Sequence, residues 1–83
     1  MLELTLYTRS DCELCSEMES VINAELSRFD AHLARVLIDN QPDLESRFGL
    51  EVPVLFVNGR KAFKYRCTSK ELRKRLLREA ANE

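Results

Sequence analysis

The chain has 83 residues, 45% of them hydrophobic and 33% charged, enough for one small domain with a thin core and too few for a second. Lys and Arg total 13 against 14 Asp and Glu, a formal net charge of -1, and this balance argues against a dedicated nucleic-acid surface. No apolar run approaches membrane-spanning length, and Met1 leads straight into a strand pattern without the basic and apolar regions of a secretory signal, so the expected setting is cytoplasmic with no membrane partner.

Leu2, Leu4 and Leu6 alternate with Glu3 and Thr5, and Tyr7 follows, which predicts a first strand. Thr8 to Asp11 turn the chain. Ser10 with Glu13 offers a capping box, with Asp11 as a rival cap, for a helix over about Cys12 to Phe29. Leu14, Met18, Val21, Ile22, Leu26 and Phe29 recur along it at spacings of three and four and predict a core-facing stripe. Leu33 to Ile38 reads as a second strand. Its unbroken Val36-Leu37-Ile38 run is the pattern of a strand covered on both faces.

Pro42 suits the first turn of a short helix, Leu44 and Phe48 share one of its faces, and Gly49 stops it. Pro53 to Val57 predicts a third strand, Asn58-Gly59 a tight hairpin turn, and Lys61 to Tyr65 a fourth strand with edge-like charge. Thr68 and Glu71 form a capping box for a last helix. Leu72, Leu76 and Leu77 are expected inward there, and Arg73, Lys74, Arg75 and Arg78 in solvent. The order β-α-β-α-β-β-α makes the first two strands parallel, through a right-handed crossover, and the last two an antiparallel hairpin.

Cys12-Glu13-Leu14-Cys15 lies where the first strand gives way to a helix. Residues three apart in a helical turn are neighbours, so these thiols can close a disulfide. The unpartnered amides of a first helical turn stabilise a thiolate, the reacting form of cysteine. Cys12 at the helix start is therefore the expected nucleophile, and Cys15, one turn inward, the resolving thiol. Asp11 and Glu13 oppose that ionisation, and Arg9 supports it if it folds over the site. The chemistry needs no bound metal or organic cofactor, only a disulfide-containing protein or small thiol and a separate reducing system. Two other readings stand beside it. One is half of a zinc site, with Cys67, His32 or carboxylates completing the set. The other is a pair of inert thiols.

Pro53 opens an apolar strand that this topology makes central, where a proline sacrifices a ladder hydrogen bond. A cis Val52–Pro53 bond would account for it and turn the Val52 backbone toward the dithiol, where an extended substrate could pair. Cys67, just before the last capping box, reads as a substrate contact, a third redox thiol or a half-buried small hydrophobe. Tyr7, Phe63 and Tyr65 read as strand packing, with Tyr65 nearest the site rim.

With these elements in place the chain resembles the glutaredoxins of the thioredoxin superfamily over nearly its whole length. Leu4-Tyr7-Thr8-Arg9 before Cys12 and Cys15, Leu50 to Leu55 with Val52-Pro53, and Phe56-Val57-Asn58-Gly59 carry the likeness. The resemblance implies a minimal thioredoxin/glutaredoxin α/β fold, a four-stranded mixed sheet flanked by helices, spanning 1–83 as one domain. It implies a thiol–disulfide oxidoreductase with Cys12 as nucleophile, Cys15 as resolving thiol and Pro53 as the cis residue. Arg9 stands where the family commonly meets the carboxylate of glutathione. The sequence departs from the family pattern at Glu13-Leu14, at Glu51, and at Tyr65-Arg66-Cys67-Thr68, where a Gly-Gly pair usually admits the ligand. Side chains there crowd glutathione, which the resemblance still allows as reductant or ligand, while Arg66 and Thr68 supply new polar contacts. The rival classes are a non-catalytic binding module that docks a partner beside Pro53, and a metal or iron–sulfur carrier.

Overall fold

The computed structural model describes residues 1–83. The elements are β1 (Leu2–Thr8), α1 (Glu13–Leu26), β2 (Ala31–Leu37), α2 (Pro42–Phe48), β3 (Val54–Val57), β4 (Arg60–Lys64) and α3 (Ser69–Ala81). They build a four-stranded mixed sheet in the order β2-β1-β3-β4. β1 runs parallel to β2 and antiparallel to β3, and β3 runs antiparallel to β4. This is the thioredoxin/glutaredoxin topology that the element order predicts.

Strand alternation feeds two cores. Leu2, Leu4 and Leu6 of β1 and Leu55 and Val57 of β3 point to one face, where Met18 and Ile22 of α1 and Leu72 and Leu76 of α3 cover them. On the other face Val54 meets Ile38 and Phe48, with Tyr7 and Phe56 packed alongside. Tyr7 stacks on Phe48 with ring centroids 4.3 Å apart, and Phe56 meets both rings edge-on. β3 is thus buried on both sides, and the buried Pro53 directly precedes it.

Several local expectations shift. α1 stops at Leu26, and Phe29 reaches the core from the following turn, its amide donating to the Leu26 carbonyl at 3.1 Å. β2 is an edge strand, so its apolar run is not covered on both faces. Leu37 is 44% exposed, while Ile38 is buried just beyond the strand end. Gly49 ends α2 in a right-handed conformation, φ -54°, so no left-handed cap forms there. Instead the Phe48 carbonyl accepts from both Glu51 and Val52, which bends the chain toward Pro53. Asn58 and Gly59 both take positive φ, the tight hairpin geometry their sequence predicts.

α3 opens with its full capping box, the Thr68 hydroxyl accepting from the Glu71 amide and the Glu71 carboxylate from the Thr68 amide. Leu77, expected inward, is 58% exposed. Arg73 is no solvated charge either. It grips the buried Glu25 of α1 bidentately at 2.8 and 2.9 Å, and Arg28 approaches the same carboxylate at 3.6 Å. Hydrogen bonds from Arg73 hold the Glu25 carboxyl below its ordinary pKa despite the opposing effect of burial. A carboxyl depressed in the folded state stabilises it above the ordinary carboxylate pKa, and that support fades as pH falls through the folded value. Glu25→Gln should therefore lower the thermal midpoint at neutral pH and flatten its decline in acid, as scanning calorimetry across the carboxylate range would read.

Candidate active site

The turn after β1 delivers Cys12 to the helix start in an extended conformation, φ -121° and ψ 107°. Its own sulfur is the cap: the Cys15 amide donates to Cys12 Sγ at 3.2 Å. The two capping candidates in the sequence are otherwise engaged. Ser10 donates its amide, at 3.3 Å, and its hydroxyl to the Asp39 carboxylate, tying the turn to the end of β2. Asp11 adopts a left-handed conformation, φ 54°, and hands the chain on to Cys12. Cys12 is half-buried and Cys15 is 2% exposed. Their Cα atoms lie 5.2 Å apart and the two sulfurs are joined as a disulfide.

Arg9 does not fold back over this pair. Its guanidinium donates to the Gly49 carbonyl at 3.4 Å and lies 3.8 Å from Glu45, so its charge turns toward the end of α2. Arg9 nevertheless lines a polar hollow of about 600 Å³ together with Cys12, Cys15 and Ser16. Glu19 and Arg35 close the far wall as a 2.9 Å ion pair. Sequence reading missed Arg35, because only the sheet order brings β2 beside this turn of α1.

The Val52–Pro53 peptide is cis, and Pro53 is buried. The Val52 amide already donates to Phe48, and the Pro53 carbonyl accepts from Tyr65 at 2.9 Å. The Val52 carbonyl has no hydrogen-bond partner inside the chain.

Residues 3–77 match the family described as Glutaredoxin-like domain (DUF836). The chain belongs to this glutaredoxin-like family. Among solved structures, the structural genomics target protein XcR50 from X. campestris is 34% identical, with a TM-score of 0.79 over 90% of this chain and 96% of that one. Protein Ne2328 from Nitrosomonas europaea is 26% identical, with a TM-score of 0.72 over 86% of each chain. The thioredoxin NaTrxh from Nicotiana alata, 24% identical over 93% of this chain and 71% of that one with a TM-score of 0.64, shares the fold. This glutaredoxin-like protein carries the redox-active Cys-x-x-Cys pair of a thiol–disulfide oxidoreductase, and none of its helices is long and apolar enough to cross a membrane.

The remaining site candidates of this glutaredoxin-like protein lie on the other flank of α1. Arg66, Cys67 and Thr68 line a separate hollow of about 190 Å³ with Leu14 and Met18. The helix start thus divides two hollows, one polar beside Arg9 and one apolar beside Cys67. Burial, and secondarily the nearby Glu71, pushes the Cys67 thiol up to about 11. Cys67 is therefore a neutral thiol around neutrality and a poor nucleophile. In the fully reduced protein at neutral pH, iodoacetamide should label Cys12 well before Cys67, as peptide mass mapping over time would show. Labelling of Cys67 first would reverse that assignment.

Proposed function

We propose that Cys12 is the attacking thiol and Cys15 the resolving thiol of a reductant for protein or low-molecular-weight disulfides. The Cys12 thiolate attacks one sulfur of the substrate disulfide, and the expelled thiolate takes a proton from solvent. Cys15 then gives up its proton and attacks Cys12 Sγ in the mixed disulfide, releasing the second substrate thiol. Two electrons have passed to the substrate, and the chain is left as the Cys12–Cys15 disulfide. A separate reducing system must return two electrons to the disulfide, and Cys15 must regain one proton, for each turnover.

The observation that carries this reading is the 3.2 Å hydrogen bond from the Cys15 amide to Cys12 Sγ, with Cys15 buried behind it. An amide at a helix start favours negative charge on the sulfur it meets, and the half-buried outer sulfur is the one a substrate can reach. We assign substrate contacts to the polar hollow at Arg9, to the unpartnered Val52 carbonyl beside Pro53, and to Arg66, Cys67 and Thr68 across the helix.

Glutathione enters as a candidate electron donor or ligand, with the side chains of Tyr65 to Thr68, which line the apolar hollow, standing where a tight backbone approach to a held ligand would be needed. Residues 1–83 act as one domain in this scheme. A cytoplasmic setting fits, since a reducing compartment leaves a cysteine pair free for exchange chemistry. Mixing reduced protein with excess oxidised glutathione tests the scheme. Intact mass should fall by two hydrogens, and the loss should require both Cys12 and Cys15. A lasting glutathione adduct on the unaltered chain would contradict the resolving step.

A further inference from the structure

The hollow beside Cys67 is walled by Leu14, Met18 and Val21 of α1 and by Tyr65 from the connection between β4 and α3. Tyr65 is 43% exposed and holds a left-handed backbone, φ 69°, which a bulky side chain rarely adopts. Strain of this kind persists where the surrounding structure imposes it, often at ligand-binding surfaces. Here the Tyr65 amide is anchored on the Pro53 carbonyl, linking the wall of the hollow to the cis-proline bend.

Carboxylates outnumber cations around this apolar hollow and the neighbouring Cys12. Glu17 and Glu71 stand on its rim, and exposed Asp11 and Glu13 flank Cys12 on the side of the polar hollow. Asp11, Glu13 and Glu17 enter none of the ion pairs of the structure. The opposing cations are Arg66 at the rim and Lys64, whose Nζ lies 5.4 Å from the Tyr65 ring centroid and 3.7 Å from Glu51; Arg9 is turned away to Glu45. Resting on the oxidoreductase reading above, we propose that this hollow receives an apolar side chain from a disulfide-bearing protein segment whose adjacent lysine or arginine meets Glu13 and Glu17. An anionic small disulfide would meet unfavourable charge on the same approach.

Two disulfide-closed peptides test this, identical except that one carries Leu-Lys and the other Leu-Glu beside a cysteine. At low ionic strength the reduced protein should reduce the lysine peptide about tenfold faster. The ratio should fall toward one at about 1 M salt, where screening acts within roughly 3 Å. The double change Glu13→Gln, Glu17→Gln should collapse the low-salt ratio. In the lysine peptide, replacing leucine by alanine should slow reduction by the unaltered protein but make little difference to a Tyr65→Gly variant. Glycine suits the left-handed position, so that variant should keep its thermal midpoint. Equal rates for the lysine and glutamate peptides, or a ratio untouched by the double change, would overturn the docking proposal while leaving the oxidoreductase reading intact. Failure to reduce either peptide would overturn both.

Discussion

Cys12→Ser should abolish disulfide reduction, lowering kcat/KM by roughly a thousandfold or more, because the group that makes the first bond is gone. Cys15→Ser should behave differently. Cys12 still attacks, one substrate thiol leaves, and the chain then holds the other half of the substrate with no internal sulfur to release it. Intact mass after reaction with oxidised glutathione should show one glutathionyl adduct per Cys15→Ser molecule, removable by excess dithiothreitol, and none on Cys12→Ser. The roles cannot simply be exchanged, since Cys15 is buried and Cys12 is the half-buried sulfur at the cap. Stable adducts on Cys12→Ser, at the rate seen for Cys15→Ser, would assign the attack to Cys15.

The second large effect falls on the core. Leu55 is fully buried in β3, opposite Leu6 of β1 and among the residues of α1 and α3 that cover that face. Leu55→Ala should cost about 2–5 kcal/mol, the loss of apolar burial plus a cavity in a closely packed centre. For a domain of this size each kcal/mol shifts the thermal midpoint by roughly 4–8 °C. Thermal unfolding followed by circular dichroism should show a midpoint far below that of the unaltered chain. The exposed Leu77→Ala should barely move it, so similar losses for the two changes would contradict the burial described here.

Element types and order were legible because each carries a local signal. Leu2, Leu4 and Leu6 alternate, Met18 and Ile22 recur on a helical stripe, and Asn58-Gly59 and Thr68 to Glu71 mark a turn and a cap by their own chemistry. Burial was less legible, because it depends on which strands lie side by side. Val36-Leu37-Ile38 reads as doubly covered, yet β2 lies at the edge, and it is the connection after it that carries Ile38 into the core. The short β3 does lie between two strands with helices above and below, the central place read for the strand after Pro53, and β1 shares it.

The active-site pair and the cis bond at Pro53 were legible for a similar reason, a short motif joined to a topology that demands it. What stayed hidden were long-range partners. Nothing near Ser10 in the chain announces Asp39, nothing near Glu25 announces Arg73, and nothing near Arg9 announces the Gly49 carbonyl. Each partner is set by how elements distant in sequence dock. The helix cap is the instructive case. The motif S-x-x-E was present, but the fold committed Ser10 elsewhere and left the cap to a sulfur.

A sulfur that terminates a helix makes that helix a reporter of its own oxidation. When the pair is reduced and ionised, the proton on the Cys15 nitrogen is held by a full negative charge; in the disulfide it meets a neutral, weaker acceptor. The exchange of that single hydrogen with heavy water should slow on reduction and quicken on oxidation. Its nuclear resonance would then serve as an internal gauge of how many electrons the chain is carrying.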